Sequence, residues 1–390
     1  MQPTVYEITS DYADVWIASD NQPGVDYGYG GTRMVEAHMP DADVHGVLDR
    51  LMHSESALKN QLINKALRQQ ALSDRLASRT PDGFIESSVG GARCIIRPKS
   101  QELAAILNAP AHPRFTQIIA TIFAQIGDLL NQQQGRIKLT PDFGRFAGLA
   151  DILAEFTPHV LGIRCEDGGC GGKSSYSATG IIAALETIGV TPETHPRITL
   201  IGSAGAMGSH ILEYCQIEGF ADIGACDHVY HASTTDLPAR LAQLPAQDGM
   251  FTDACLSRGG VIVATTVGHE LEHSQWQRIP RDTIMLLAHN LAVPAGEPGI
   301  DLMRRLAEQG VLVVPGQVLT LGGALTSRVE WFWRQSRPGE PFDKPLAHLV
   351  VRAVVSYLIG EMLSQAHITG LTPYETMLRF AQDQPTQVQV

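Results

Sequence analysis

Residues 198–212 read Ile-Thr-Leu-Ile-Gly-Ser-Ala-Gly-Ala-Met-Gly-Ser-His-Ile-Leu. An apolar strand runs into Gly202, Gly205 and Gly208, and a helix begins at once. The usual dinucleotide fingerprint is G-x-G-x-x-G, and here Ser203 stands in its first position. Gly205 would let the backbone approach a pyrophosphate. Gly208 would let the helix pack closely on the sheet. The helix start would offer N–H groups and a dipole to an anion. Asp227 follows 22 residues after Gly205, at the end of the next apolar segment. That is near the spacing of about 20 residues for a carboxylate that takes a ribose 2′-hydroxyl. Such an acid repels a 2′-phosphate and favours NAD over NADP.

The pattern around this motif sets the fold class. Apolar segments at 198–201, 223–226, 261–265, 284–288 and 311–314 alternate with helical stretches. This alternation means βαβ units and a parallel sheet covered on both faces. Upstream, 4–8, 32–38, 92–97 and 136–139 read as strands. Residues 41–52, 58–77 and 113–133 read as helices, and two more helices lead to Gly162. The loop 165–173 carries four glycines and reads as a hinge. The expected organisation is α/β with two domains. One spans 1–163; a Rossmann domain spans 164–343. Two amphipathic helices in 344–390 are expected to pack back on the first domain or on a partner subunit.

Composition narrows the class. The chain has 390 residues, 41 acids against 29 bases and a formal charge of −12. That charge argues against general nucleic-acid binding, which needs clustered Lys and Arg. No apolar run approaches the ~20 residues of a spanning helix, and residues 1–10 do not read as a signal peptide. Six cysteines are too few for a disulfide scaffold in a chain this long. Cys165 and Cys170 read as loop thiols in a reduced cytoplasm. No metal site is expected: Glu270, Glu272 and His273, with His269 beside them, read as a solvated turn.

The order of motifs resembles that of the Glu/Leu/Phe/Val amino-acid dehydrogenases, nearest the leucine and phenylalanine branch. Gly30-Gly31-Thr32-Arg33-Met34 resembles an early substrate-domain motif. Gly90-Gly91-Ala92-Arg93 resembles a glycine-rich segment ending in lysine. Leu139-Thr140-Pro141-Asp142 resembles the segment with the catalytic aspartate, and Ser177-Ala178-Thr179-Gly180 a helix start that touches the nicotinamide. Ala288-His289-Asn290, residues 315–323 and Leu371-Thr372-Pro373 extend the likeness.

The resemblance implies a substrate and oligomerisation domain and a Rossmann NAD-binding domain either side of a cleft. It implies oxidative deamination of an L-amino acid to a 2-oxo acid, or the reverse amination or imine reduction, by a cytoplasmic homo-oligomer. A divergent substrate, of specialised metabolism, fits the altered motifs. Lys59 matches the lysine that binds the substrate carboxylate, with Gly31 and Thr320 beside the substrate. Thr320 stands where the family has Asn. Asp142 matches the proton-shuttling aspartate, although it also suits a helix N-cap. The implied cofactor set is Ser177, Gly202, Ser203, Gly205, Ala206, Met207, Gly208, Asp227, Thr265 and Asn290.

The family's second lysine is replaced by Arg93. Arginine keeps the charge but cannot release its proton at useful pH. So Arg93 serves by charge alone, or another residue such as Lys65, Arg68 or Arg79 takes the proton, or the chemistry differs. Of those three only Lys65 can deprotonate. The rival class is a non-catalytic NAD-binding regulator or partner protein built on the same fold.

Overall fold

The computed structural model describes all residues except 1–2, 21–22, 144–145, 232–240, 245–252, 266–274, 290–291, 295 and 383–390. The chain forms two compact units, 1–173 with 324–347, and 174–323 with 348–390.

The first unit is built on a five-stranded mixed sheet. Its strands are β1 (Thr4–Thr9), β2 (Ala13–Ser19), β3 (Tyr27–Met34), β4 (Val89–Pro98) and β5 (Ile137–Thr140), in the order β1-β2-β4-β3-β5. β3 runs parallel to both β4 and β5. Side chains alternate across a strand. Ala92, Cys94 and Ile96 of β4 and Ile137 and Leu139 of β5 therefore share one face. There they meet Ile119, Ile122, Phe123 and Ile126 of the helix Phe115–Gln132. The intervening residues Tyr27, Tyr29 and Gly31, Arg93, and Lys138 and Thr140 fall on the opposite face. This alternation gathers polar groups on one side of an otherwise apolar sheet.

β2 was not expected. All seven of its residues are buried, so it lacks the alternation of a half-exposed strand. Its one acid, Asp14, is held by Arg97 and Lys99, and these partners keep its carboxyl below the usual range against the opposing effect of burial. β3 begins five residues before the expected start. The helices Asp41–Leu51 and Leu58–Leu67 are joined by a π-helical turn, Met52–Ala57.

The second unit carries β6 (Arg197–Ile201), β7 (Asp222–Cys226), β8 (Leu241–Leu244), β9 (Val261–Ala264), β10 (Ile284–Leu287) and β11 (Leu312–Val314). The order is β11-β10-β9-β6-β7-β8, with every pair parallel. Counted from β6 this is the 3-2-1-4-5-6 order of a Rossmann sheet, and the order reverses between β6 and β9.

The division differs from the expected one in two ways. Residues 164–173 belong to the first unit, because Cys170 and Gly162 donate their backbone N–H to the buried Glu330 carboxylate. Residues 324–343 belong there too: the Tyr29 hydroxyl donates to Ser327, and Arg328 donates to Phe84 O and to Asn64. The C-terminal helices Lys344–Thr369 and Pro373–Gln382 lie, from His348 on, in the second unit rather than on the first. His348 bonds Thr179, Arg352 pairs with Glu186, and Arg304 pairs with Glu375.

The helix Lys344–Thr369 also corrects the reading of hydropathy. Its best 18-residue window has a mean hydropathy of 1.6, enough by length and composition for a membrane span. More than half of that window is buried within the protein. Val351 and Val355 of this helix lie against Gly180 of the helix Ser174–Ile188, as core residues do.

Candidate active site

The first unit places Lys59, Arg93 and Asp142 in one neighbourhood. Asp142 follows the end of β5. Among the described residues the next helix starts only at Leu149, so Asp142 caps none there. Its carboxylate accepts the Thr32 backbone N–H at 2.8 Å. A Cβ on Gly31 would stand 2.6 Å from the Asp142 carboxylate, so only glycine at 31 leaves that carboxylate its place. Asp142 is exposed to solvent.

Lys59 lies at the start of the helix that follows the π-turn and is 8% exposed. Burial pushes its amine below the ordinary lysine value; the Glu55 carboxylate opposes this and the Arg93 charge adds to it. Glu55, on the π-turn, stands 3.9 Å from Lys59 and 3.5 Å from Arg93. π-Turns are frequent at functional sites because they re-aim one side chain out of helical register. Arg93 is also 8% exposed, and its Nε has no hydrogen-bond partner among the described residues. Its charge is met by Glu55 rather than left open.

Of the alternatives to Arg93 that the sequence offers, Arg68 and Arg79 are exposed and Lys65 is only partly buried. A lysine that sequence reasoning missed stands in the cluster instead. Lys173 donates to the Tyr29 hydroxyl at 2.8 Å and to Thr140 Oγ1 at 2.7 Å. Tyr29 and Thr140 are themselves 3.1 Å apart, and Tyr29 donates to Ser327 at 2.6 Å. Burial works against the Lys173 charge. Tyr29, Cys170 and Asp142 outweigh it and hold the amine above the usual lysine value. Lys173 and Lys59 feel each other's charge. Two signals for this layer lay in the sequence. One is a lone cation ending a run of glycines. The other is Tyr29, two residues before Gly31 and so on its face once β3 is placed at 27–34.

One layer further along the same face, Lys138 is 3% exposed. Its Nζ sits 3.8 Å from the Tyr27 ring centroid and 3.9 Å from that of Trp331. Desolvation lowers its pKa to about 7, against a small opposing pull from Asp26.

In the second unit the glycine turn follows β6. A Cβ on Gly208 would stand 2.1 Å from the Gly202 carbonyl oxygen, so glycine there is a packing necessity. A Cβ on Gly205 would meet only Gly202 O, at 3.2 Å. Ala204, Gly205 and Ala206 are exposed, and no side chain caps the helix Ala206–Glu218. Its first N–H groups thus remain available to an anion. Asp227 is 7% exposed; it accepts the Ala204 N–H at 2.9 Å and the Val229 N–H at 3.3 Å. Ser203 bonds the Tyr230 hydroxyl at 3.0 Å. Thr265 donates to the carbonyls of Ile201 and Gly202, both at 3.0 Å, beside the point where strand order reverses. Asp227 and Thr265 therefore both fix the turn, and Met207 continues it into the helix.

Ser177 and Thr320 lie on packed elements of the second unit: a Cβ on Gly180 would stand 2.9 Å from Leu319 O, and one on Gly322 2.7 Å from Ser177 N. Ser177 lies on the helix Ser174–Ile188, partly buried. Thr320 donates its hydroxyl to Gly316 O at 2.6 Å, ending a short helix. Asn290 lies outside the described residues, as do His269, Glu270, Glu272 and His273.

No protein-family model matches the chain, and no curated protein sequence matches it. Solved structures do match. L-tryptophan dehydrogenase from Nostoc punctiforme aligns with a TM-score of 0.66 at 14% identity, over 97% of this chain and 94% of that one. The hetero-hexameric glutamate dehydrogenase from Thermus thermophilus, in its Leu-bound form, aligns at 0.65 and 14%, over 97% and 86%. Glutamate dehydrogenase from Peptoniphilus asaccharolyticus aligns at 0.61 and 16%, over 97% and 89%. The chain has the two-domain fold of the amino-acid dehydrogenases; at these identities the likeness establishes the fold.

Proposed function

We propose that the protein is an NAD-dependent oxidoreductase of the amino-acid dehydrogenase type. It would interconvert an L-amino acid with its 2-oxo acid and ammonia, or reduce the matching imine. The observation that carries this reading is the grouping of Lys59, Asp142 and Lys173 on one face of the first unit's sheet. Lys59 supplies a buried cation for a substrate carboxylate. Asp142, held by Thr32 and open to solvent, can take and return a proton at the amine.

The second unit's turn fits a dinucleotide. The uncapped helix start and the open side of Gly205 would hold the pyrophosphate, and Asp227 would face the adenosine ribose. The bound cofactor would accept or supply the hydride. The Asp227 carboxylate disfavours a 2′-phosphate, hence NAD over NADP. Ser177, Asn290 and Thr320 enter this reading through motif resemblance.

Two carboxylates, Glu55 and Asp142, face three cations, Lys59, Arg93 and Lys173. The surplus of one positive charge suits a substrate with a single carboxylate and a neutral side chain. The substrate is a small molecule, and neither a nucleic acid nor a membrane is a partner in this reading. A cytoplasmic homo-oligomer, possessing a specialised substrate, completes it; light scattering at the mass of one chain would remove the oligomer.

The test is NADH absorbance across a panel: NAD with each common L-amino acid, then NADH with ammonium and each 2-oxo acid. A matched signal in both directions, lost in Asp142→Asn, supports the reading. Silence with NADH binding intact overturns ordinary deamination and leaves an unusual substrate or the non-catalytic NAD-binding protein.

A further inference from the structure

In the proposed reaction some group must act at the substrate's carbonyl oxygen. A 2-oxo acid attacked by ammonia develops negative charge on that oxygen, and the charge needs a donor. Arg93 is a poor one. Its charge is engaged by Glu55, and a guanidinium does not part with a proton.

Lys173 has the required features. An ammonium carries three N–H donors. Tyr29 and Thr140 take two, and the third has no partner among the described residues. Tyr29 and Gly31 are successive residues on one face of β3. Thr140 and Asp142 are two residues apart at the end of β5. Lys173, seated on Tyr29 and Thr140, therefore lies one strand step below Asp142, about 7 Å along the strands. That spacing accommodates one tetrahedral carbon, with its oxygen toward Lys173 and its nitrogen toward Asp142.

Resting on the proposed dehydrogenase reading, we infer that Lys173 is the proton donor to the substrate oxygen, a role moved from the strand position of Arg93 to a residue at the end of the glycine-rich loop. Ammonia attacks C2, and the C=O pair moves to oxygen. Lys173 gives that oxygen a proton, and Asp142 takes one from nitrogen. The nitrogen lone pair then forms C=N as the C–O bond breaks, and the hydroxyl leaves as water with the proton held by Asp142. Lys173 is left as a neutral amine and regains its proton from water. In the deamination direction each transfer reverses.

The surroundings of Lys173 favour its ammonium, the form that donates. The hydroxyls of Tyr29 and Thr140 accept from the ammonium, and after the transfer the Thr140 hydroxyl can rotate to donate to the amine. Tyr29 and Ser327 are positioning residues in this scheme: they fix the hydroxyl on which Lys173 rests.

The test compares Lys173→Met, Lys173→Gln and Lys173→Arg in the full chain, with thermal unfolding as the control for folding. On a panel substrate that the unsubstituted protein turns over, kcat is expected to fall about 10²–10⁴-fold in all three. The KM for the 2-oxo acid is expected to stay within about threefold, the mark of an interaction made in the transition state. NADH binding, followed by fluorescence, should not change. Turnover close to normal in a folded Met or Gln variant overturns the proposal. So does recovery by Arg, which would show that charge alone suffices. If the unsubstituted protein is silent across the panel, the dehydrogenase reading fails separately. The lysine is then probed by acetic anhydride labelling and mass spectrometry, with and without pyruvate and its branched-chain and aromatic homologues. Protection of Lys173 together with Lys59 supports the contact; equal labelling with every acid overturns it.

Discussion

Glu55 Oε2 lies 3.5 Å from Nη1 of Arg93, and the same carboxylate reaches Lys59 at 3.9 Å. All three side chains are at least 85% buried. One acid from a π-turn thus holds two cations that the sequence places 34 residues apart. Its presence sets both the stability of this corner and the charge a ligand meets there.

Glu55→Gln should therefore act twice. It leaves two buried cations short of a partner, so urea unfolding should show a loss of about 3 kcal/mol, in the range for breaking a buried pair. It also raises the positive surplus. Dicarboxylic 2-oxo acids should then gain in kcat/KM relative to monocarboxylic ones, by about tenfold or 1.4 kcal/mol. An unchanged preference across the panel would count against the charge-balance argument.

Asp142→Asn separates chemistry from architecture. The amide oxygen can still accept the Thr32 N–H, so the melting temperature should hold. Turnover should drop by about 10²–10⁴-fold, because an amide cannot carry the proton. Normal turnover in Asp142→Asn would remove this residue from the reaction.

The glycine turn predicts a contrast between two alanine substitutions. In Gly208→Ala the new methyl meets the Gly202 carbonyl, and neither backbone can retreat. The expected result is a destabilised or unfolded second unit. In Gly205→Ala the methyl meets only the Gly202 carbonyl, at 3.2 Å, a contact that a small backbone shift relieves, so the fold should persist. NADH affinity should fall by about tenfold, 1.4 kcal/mol, if the pyrophosphate approaches there. Equal effects at both positions in melting and in fluorescence titration would contradict this assignment.

Lys138 gives a pH prediction of definite sign. Burial pushes its amine down to about 7 in the folded protein, from about 10.4 in the unfolded chain. Between those values the unfolded chain binds the proton and the folded one does not, so stability rises with pH through that window. Below about pH 7 both states are protonated and the full penalty of burying the charge is present. Lys138→Met removes this contribution. Urea midpoints should climb more steeply from pH 7 to 10 in the unsubstituted protein than in the variant. Parallel curves would show that Tyr27 and Trp331 keep the ammonium charged throughout.

Much of the fold was legible because it is written in local periodicity. The alternation of strands and helices after residue 197, and the glycines that must lie between β6 and its helix, predicted the parallel sheet. The same rule puts Arg93 on the face opposite Cys94. β2 escaped because burial on both faces erases its alternation. The seat of the C-terminal helices, expected on the first domain or on a partner subunit, escaped because an apolar helix face states that it is covered, not by what. The helix Lys344–Thr369 meets Gly180, Thr179 and Glu186.

By itself the sequence determined the Rossmann turn and the place of Asp142 after a strand. Each follows from neighbours within a few residues, where chain geometry leaves few choices. Only the tertiary structure decided that Glu55 engages Arg93 and that Lys173 rests on Tyr29 and Thr140. Tyr29 is separated by 144 residues from Lys173 and by 298 from Ser327. No spacing rule links such positions. Their meeting depends on which sheet face each strand presents and on which helix returns to cover it.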